Sequence, residues 1–93
     1  MDDNVIAEVA FVISSHYRAD VLLALDNAIE TPTSISKKTN IEPKYVSRAL
    51  GELKNRGVVE CINEEAYRTR LYRLTDLGEE VLANLEIANF KQD

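Results

Sequence analysis

The chain has 93 residues, of which 45% are hydrophobic and 29% are charged, and its formal net charge is −5. This composition is typical of a globular protein and excludes a disordered chain, and a chain of this length buries roughly 60–65% of its unfolded surface, which suits one domain. No apolar run approaches the roughly 18 residues of a membrane helix, no basic segment precedes an apolar one at the N-terminus, and one cysteine excludes an internal disulfide framework. We therefore expect a cytoplasmic protein.

The charge is distributed unevenly along the chain. Residues 1–30 carry one base and six acids, and residues 76–93 carry one base and five acids. Residues 31–57 instead carry six bases against two acids, and residues 58–75 are balanced. A local basic patch can attract phosphate while the remaining acidic surface limits indiscriminate binding.

The first third of the chain predicts two helices. Residues 4–13 form a helix with an apolar stripe too wide for one small domain to cover, which indicates a partner. The stripe consists of Val5, Ile6, Val9, Ala10, Val12 and Ile13. Ser14 or Ser15 can cap a second helix over about 16–27. Arg18 in this helix contacts either a phosphate or an acidic neighbour, and the sequence leaves both open.

Residues 33–57 predict two helices joined by a tight turn. Thr33 can cap a short helix over about 34–39, and Asn40 can turn the chain because asparagine tolerates the left-handed conformation. Pro43 suits the first position of the longer helix, with Glu42 as its cap. Gly57 ends that helix. Together they form a helix-turn-helix.

The two faces of the longer helix differ in chemistry. Its apolar residues recur with the i, i+3, i+4, i+7 spacing of one buried stripe, namely Val46, Ala49, Leu50 and Leu53. The opposite face carries cations and small polar groups: Lys44, Arg48, Gly51 and Asn55, flanked by Ser47 and Glu52. A glycine in that face allows another surface to approach closely.

The last third predicts a hairpin and a terminal helix. Residues 58–62 and 68–74 are β-branched or aromatic-containing runs of strand length joined by a polar segment, so 58–74 reads as a hairpin. Cys61 alternates with Val59 and is expected to be a small core residue. Thr75 can cap a helix over 76–90. Its stripe comprises Leu77, Val81, Leu82, Leu85 and Ala88, extended by Ile87 and Phe90.

Three segments, TPTSISKKTNI from residue 31, VSRALGELKNRGVVE from 46 and RLYRLTDLGEEVL from 70, resemble the winged helix-turn-helix of ArsR-like and MarR-like transcriptional regulators, most of all the small archaeal and bacterial ones. The resemblance implies a mainly α (α+β) fold with helices at both termini and a two-stranded wing, in which 1–93 is one domain. Ser34, Ser36 and Asn40 stand where the family often has an acid, alanine and glycine.

The resemblance also implies a function, that of a sequence-specific DNA-binding transcriptional regulator that acts as a homodimer. The helix from Pro43 would enter the major groove, with Lys44, Ser47 and Arg48 nearest the base edges and Tyr45 and Asn55 at the margins. Phosphate contacts would come from Lys37, Lys38, Lys54, Arg68 and Arg70, although the three lysines could merely solvate their helices. The terminal helices 4–13 and 76–90 would form the dimer through Val5, Ile6, Val9, Leu82, Leu85 and Phe90, unless the last helix folds wholly onto its own domain.

Other functions find less support in the sequence. There is no Gly-rich phosphate loop and no nucleophile motif, so we expect neither an enzyme nor a cofactor. One cysteine and the distant His16 cannot supply a tetrahedral thiolate metal site, although a carboxylate site between subunits stays open. A winged-helix adaptor that docks on a protein is the alternative, and it is suggested by Glu64 and Glu65 near the wing tip. Duplex binding that weakens steeply with salt would distinguish a regulator from an adaptor. The sequence does not define an effector.

Overall fold

The computed structural model describes residues 3–87, and within this range it contains five helices and one two-stranded antiparallel sheet. The elements are α1 (Asp3–Ile13), α2 (His16–Ala24), α3 (Pro32–Thr39), α4 (Pro43–Asn55), β1 (Val59–Cys61), β2 (Tyr72–Leu74) and α5 (Asp76–Ile87). This order confirms the predicted mainly α winged helix-turn-helix. The last helix is predicted to extend to residue 90. The end of that prediction, including Phe90, lies outside the described residues.

The long helix of the motif is fixed by its buried stripe. Val46, Ala49, Leu50 and Leu53 are each at most 2% exposed. They pack where α4 meets α2, α3 and β1. The predicted core face of α4 is therefore confirmed, and burial of four apolar side chains determines which face of the helix points outward.

Helix boundaries differ from the prediction at α3 and α2. The cap of α3 is Thr31, not Thr33: its Oγ1 accepts from the Ser34 amide, and the Ser34 hydroxyl accepts from the Thr31 amide. This capping box places Pro32 at the first helical position, where its missing N–H has no cost. Helix α2 ends at Ala24, three residues before the predicted end.

The remaining caps follow the sequence closely. Ser15 caps α2, and Asn40 is left-handed with φ 63° after α3. Gly57 is also left-handed, with φ 75°, beyond the end of α4. Glu42 is the N-cap of α4, but its side chain makes no capping hydrogen bond. The Thr75 hydroxyl accepts from the Gly78 amide at 3.0 Å, which caps α5 as predicted.

The two strands of the wing are shorter than predicted. β1 and β2 pair over three residues each, with Glu60 opposite Arg73. Residues 68–71 are not strand: the Ile62 amide still donates to the Leu71 carbonyl at 2.9 Å, and the other hydrogen bonds to the backbone of this segment come from the Asn63 side chain. Its Oδ1 accepts from the Leu71 amide at 2.8 Å, and its Nδ2 donates to the Thr69 carbonyl at 3.1 Å.

An additional backbone pairing, which the sequence did not predict, joins the wing to the segment before α3. The amide of Glu30 donates to the Tyr72 carbonyl at 3.1 Å, and the amide of Tyr72 donates to the Glu30 carbonyl at 2.9 Å. This isolated antiparallel bridge extends the sheet by one residue. It fixes the wing beside the start of α3.

The terminal helices pack on each other, and this changes the expected dimer surface. Helix α1 packs on α5 and α2. Val5, Leu82 and Leu85 are buried in the core of this single chain, so their predicted place in a dimer interface is corrected to a place in the fold. Ile6 is 49% exposed and Val9 is half-buried, which leaves these two with surface for a partner.

Gly78 is a position where the fold requires glycine. A Cβ built there would overlap the backbone carbonyl oxygen of Val58, which also accepts from the Thr75 amide. We expect Gly78→Ala to lower the free energy of unfolding by roughly 1–3 kcal/mol, the usual range for overpacking, in urea denaturation. Gly51→Ala is the control, because nothing lies within 4 Å of its added methyl group. It should raise stability by about 1 kcal/mol through helix propensity. Equal effects of the two substitutions would contradict the close approach at Gly78.

Glu30 accepts charge-assisted hydrogen bonds at the start of α3. Its Oε2 lies 2.8 Å from the Lys38 Nζ, and its Oε1 accepts from the Ser34 hydroxyl at 2.6 Å. Lys38 Nζ also donates to the Ala24 carbonyl at 3.0 Å. The bond from Lys38, followed by that from Ser34, lowers the pKa of Glu30 below its ordinary value of 4.5. A lowered folded-state pKa stabilises the fold above 4.5, and the contribution is lost as the pH falls through the folded value.

We therefore expect Glu30→Gln to destabilise the protein at pH 7 by roughly 1–3 kcal/mol, the range for hydrogen bonds to charged groups. Thermal unfolding of the variant and the native chain should converge as the pH falls below 4.5. Glu65→Gln, at an exposed wing position, is the control and should show neither effect. A pH-independent difference for Glu30→Gln would show that the carboxylate charge is not the cause.

Candidate nucleic-acid interface

The outward side of α4 presents a polar surface that we call the recognition face. It consists of Lys44, Ser47, Arg48, Gly51 and Asn55, all of them exposed. Since the opposite stripe is buried, these side chains point away from the core. Cations, a hydroxyl and an amide are the groups that contact phosphates and base edges. The face contains no large apolar side chain.

Arg48 is one of the two cations of this face, with Lys44. Its side chain is 75% exposed, and its Nε lies 3.6 Å from the Oε2 of Glu52, one helical turn away. The other oxygen of Glu52 accepts from the Nε of Arg18 at 2.9 Å. Arg18 therefore contacts an acidic neighbour, which was one of the two possibilities that the sequence left open.

Tyr45 is engaged within the protein. Its ring stacks on that of Tyr17 in α2, with centroids 5.0 Å apart and planes 5° from parallel. The Nζ of Lys44 lies 5.1 Å from the Tyr45 centroid. The half-buried ring packs against the core. Tyr45 thus joins α4 to α2. Only the exposed part of this half-buried side chain remains for the predicted contact at the margin of the DNA surface.

The basic patch is smaller than the sequence suggests, because acids from other segments pair with three of its cations. Lys38 pairs with Glu30, and Lys54 pairs with Glu64 of the wing at 2.8 Å. Their mutual hydrogen bond raises the pKa of Lys54 and lowers that of Glu64. Arg56 Nε lies 3.0 Å from the Glu8 Oε1, as an ion pair whose geometry is too poor for a hydrogen bond. Lys37 is exposed, and within residues 3–87 it pairs with no carboxylate.

A cleft separates the wing from the helix-turn-helix and brings several predicted residues together. It is lined by Thr31, Pro32, Thr33, Ser47, Tyr67, Arg68, Thr69, Arg70 and Tyr72. Arg68 and Arg70 are both exposed, and Arg70 Nε donates to the Ala66 carbonyl at 3.3 Å. The cleft therefore combines hydroxyls from α3 and α4 with two arginines from the wing. Such donors suit a phosphate backbone.

Tyr67 is a residue that the sequence reasoning did not single out. Its side chain is 94% exposed at the wing, beside Arg68. An aromatic residue next to an arginine in the turn of a hairpin was the available signal. Thr69, two positions on, has φ 57°, so the backbone turns sharply after Tyr67 and Arg68.

Other kinds of site were sought in the same range. Among residues 3–87, no group of three or more histidines, cysteines or carboxylates could hold a metal ion. Cys61 is buried, as predicted, and its Sγ lies 3.5 Å from the Asn63 Oδ1. In this described part of the chain, every helix is too short or too polar to cross a membrane.

Solved structures share this fold. TubR of Bacillus thuringiensis serovar israelensis, bound to 24 bp of tubC, matches with a TM-score of 0.77 and 16% identity, over 90% of this chain and 94% of TubR. A C30AH42A mutant of Lactococcus lactis ZitR matches with a TM-score of 0.72 and 23% identity, over 83% of this chain and 53% of ZitR. The chain thus spans about half the length of ZitR.

A third match is the homodimeric winged helix-turn-helix DNA-binding domain of Mycobacterium bovis Mb0332, a possible ArsR-family regulator. Its TM-score is 0.67 at 24% identity, over 92% of this chain and 76% of that domain. A MarR-family transcription regulator and a further ArsR-like one also match. The resemblance to ArsR-like and MarR-like winged helices is therefore confirmed.

Comparison with curated proteins gives no match. A protein-family model does match, and it covers residues 6–91, which is nearly the whole chain. That model describes the HVO_A0261 N-terminal domain. The chain therefore belongs to the HVO_A0261 N-terminal domain family.

Proposed function

We propose that this chain is a sequence-specific DNA-binding transcriptional regulator that acts as a homodimer in the cytoplasm, with 1–93 as one winged helix-turn-helix domain and α4 in the major groove. One observation carries the proposal. The face of α4 opposite its buried stripe is wholly polar and exposed, and it holds Lys44, Ser47, Arg48 and Asn55. An isolated helix face of this chemistry fits the groove, which displays acceptors and donors on its base edges.

Similar structures support the proposal at the level of the fold. TubR is a protein of this fold bound to DNA, and Mb0332 contains a homodimeric DNA-binding domain. None of the reported neighbours is described as an enzyme. The chain is accordingly proposed to act by binding alone, without a cofactor.

The recognition face would contact the base edges of DNA, and the cleft between the wing and the helix-turn-helix would contact its phosphates. Lys44, Ser47 and Arg48 lie where they can reach base edges, and a good bidentate contact contributes about 1–3 kcal/mol of discrimination. Lys37, Arg68 and Arg70 are exposed cations without a carboxylate partner in residues 3–87, which suits them to phosphates. Lys38 and Lys54 could reach phosphates only by leaving Glu30 and Glu64.

A second copy of the chain would cover the exposed stripe of α1. Ile6, Ala10 and Ile13 lie along one face at helical spacing, and all three are exposed, with Val9 half-buried beside them. The opposite face of α1 is used for the chain's own core. Apolar side chains left in water along one face favour association. Two-fold symmetry then predicts a palindromic site with half-sites about one helical turn apart.

Selection from a random duplex pool tests the DNA-binding proposal. We expect enrichment of a palindrome that the native chain binds specifically. Arg48→Ala should weaken this binding by roughly 1–3 kcal/mol, because a base contact is lost. Glu80→Gln is the control, since it removes an exposed charge of α5, which lies outside the recognition face and the wing. Enrichment that Arg48→Ala leaves unchanged would refute the assignment of this face.

The salt dependence of the selected complex tests the phosphate contacts. Each chain would make three phosphate contacts, through Lys37, Arg68 and Arg70, which gives six in a dimer. The slope of log affinity against log salt concentration should therefore be about −5. Participation of Lys38 and Lys54 as well would make the slope about −9. No duplex binding at low salt would instead favour an adaptor that docks on a protein.

The dimer surface is tested by Ile6→Lys. A charge on the exposed stripe of α1 should shift the chain from dimer to monomer in sedimentation velocity, while the circular dichroism of the fold stays unchanged. Ile29→Lys is the matched control, because Ile29 is 53% exposed but lies before α3 and far from this stripe in the sequence. The proposed surface is wrong if Ile29→Lys dissociates the dimer and Ile6→Lys does not.

A further inference from the structure

Two arginines share the carboxylate of Glu52. Arg18 Nε lies 2.9 Å from Oε1, and Arg48 Nε lies 3.6 Å from Oε2. The Arg18 side chain is only 18% exposed, whereas that of Arg48 is 75% exposed. The carboxylate therefore has one close, sheltered partner and one distant, solvated partner.

The pair between Arg48 and Glu52 is the weaker of the two for a second reason. In a helix, an acid that precedes a base by four residues pairs better than a base that precedes an acid, because the helix dipole opposes the latter order. Arg48 precedes Glu52, so this pair has the less favourable order. Its exposure and its distance reduce it further.

Arg18 is held independently of Glu52. One of its terminal nitrogens donates to the Phe11 carbonyl at 2.9 Å and to the Ser14 hydroxyl at 2.8 Å. Its guanidinium also lies 3.9 Å from the centroid of the Phe11 ring. Planar stacking and several donors preorganise an arginine better than they could a lysine. The partner of Glu52 is therefore fixed before any DNA arrives.

We infer that Arg18 is a positioning residue for Arg48: by pairing with Glu52, it allows Arg48 to leave that carboxylate and reach DNA at little cost. This inference rests on the proposed function. Without Arg18, departure of Arg48 would leave a partly buried carboxylate unpaired, which is costly. Glu52 would then retain Arg48 and neutralise it.

A double-mutant cycle on the selected operator tests the inference. Arg18→Gln keeps a polar side chain but loses the charge, and it should lower the affinity roughly tenfold, within the range for coupled contacting residues. In the Arg48→Ala background the same substitution should have no further effect. In the Arg18→Gln background, Glu52→Gln should restore affinity, because the competing charge is gone.

Two controls separate positioning from a general structural role. Arg18→Lys retains the charge beside Glu52 but loses part of the contact with Phe11, so its operator affinity should lie between those of Arg18→Gln and the native chain. Ser14→Ala removes a hydrogen bond from Arg18 but not the ion pair, so operator affinity should be unchanged. Thermal unfolding of each variant shows that binding is compared between folded proteins.

Each remaining outcome decides the question. An equal loss from Arg18→Gln with and without Arg48 would mean that Arg18 contacts DNA itself or only supports the fold, and it would overturn the inference while leaving the proposed function intact. If Arg18→Gln does not fold, Glu52→Gln is compared in the native chain and in Arg48→Ala. An equal change in affinity in both chains supports the inference, because Arg18 already frees Arg48 from Glu52, whereas a gain that needs Arg48 overturns it. Failure of the native chain to bind any duplex would overturn the proposed function as well.

Discussion

The rest of the structure depends on the burial of one side of α4. Val46, Ala49, Leu50 and Leu53 together meet α2, α3 and β1, so four apolar side chains fix the rotation of this helix about its axis. Burial of that area favours this rotation strongly, at about 25 cal/mol per Å² of apolar surface. The exposed face follows by geometry, because residues two positions from the stripe point to the opposite side. The polar surface available to a partner is thus a consequence of how the core is packed.

The electrostatics of that surface depend on contacts that cross the chain. Glu8, Glu30 and Glu64 come from three different segments, and each pairs with one cation of the helix-turn-helix. The ion pair between Lys54 and Glu64, in which both side chains are exposed, contributes little stability. The main effect of the three pairs is on the distribution of charge: among the described residues of the helix-turn-helix and the wing, the cations without a carboxylate partner are Lys37, Lys44, Arg68 and Arg70. A protein with an acidic total can therefore present a compact basic surface.

The sequence predicted what depends on local periodicity and turn chemistry. The two faces of α4, the left-handed Asn40 and Gly57, and the caps at Ser15 and Thr75 all follow from residues close in sequence. The start of α3 was misplaced because Thr31 and Thr33 are both good caps, and the Ser34 hydroxyl decides between them. Contacts between distant segments include the ion pairs, the bridge from Glu30 to Tyr72 and the burial of Leu82 and Leu85 in the shared core. A single sequence carries no periodic signal for such contacts.

Side chains also connect α1 to α4. Helix α1 carries the exposed apolar stripe, and α4 carries the exposed polar face. The guanidinium groups of Arg18 and Arg56 lie 3.9 Å and 4.3 Å from the centroid of the Phe11 ring. Arg56 pairs with the buried Glu8 of α1, and Arg18 pairs with Glu52 of α4. A cation close to an aromatic ring is most stabilising when it is shielded from water, as Arg18 largely is. Movement of α1 relative to α4 would separate these groups and leave a carboxylate unpaired in the interior. The two helices are therefore expected to move as one body, and a partner that covers α1 would set the position and orientation of α4 directly, without a hinge between them.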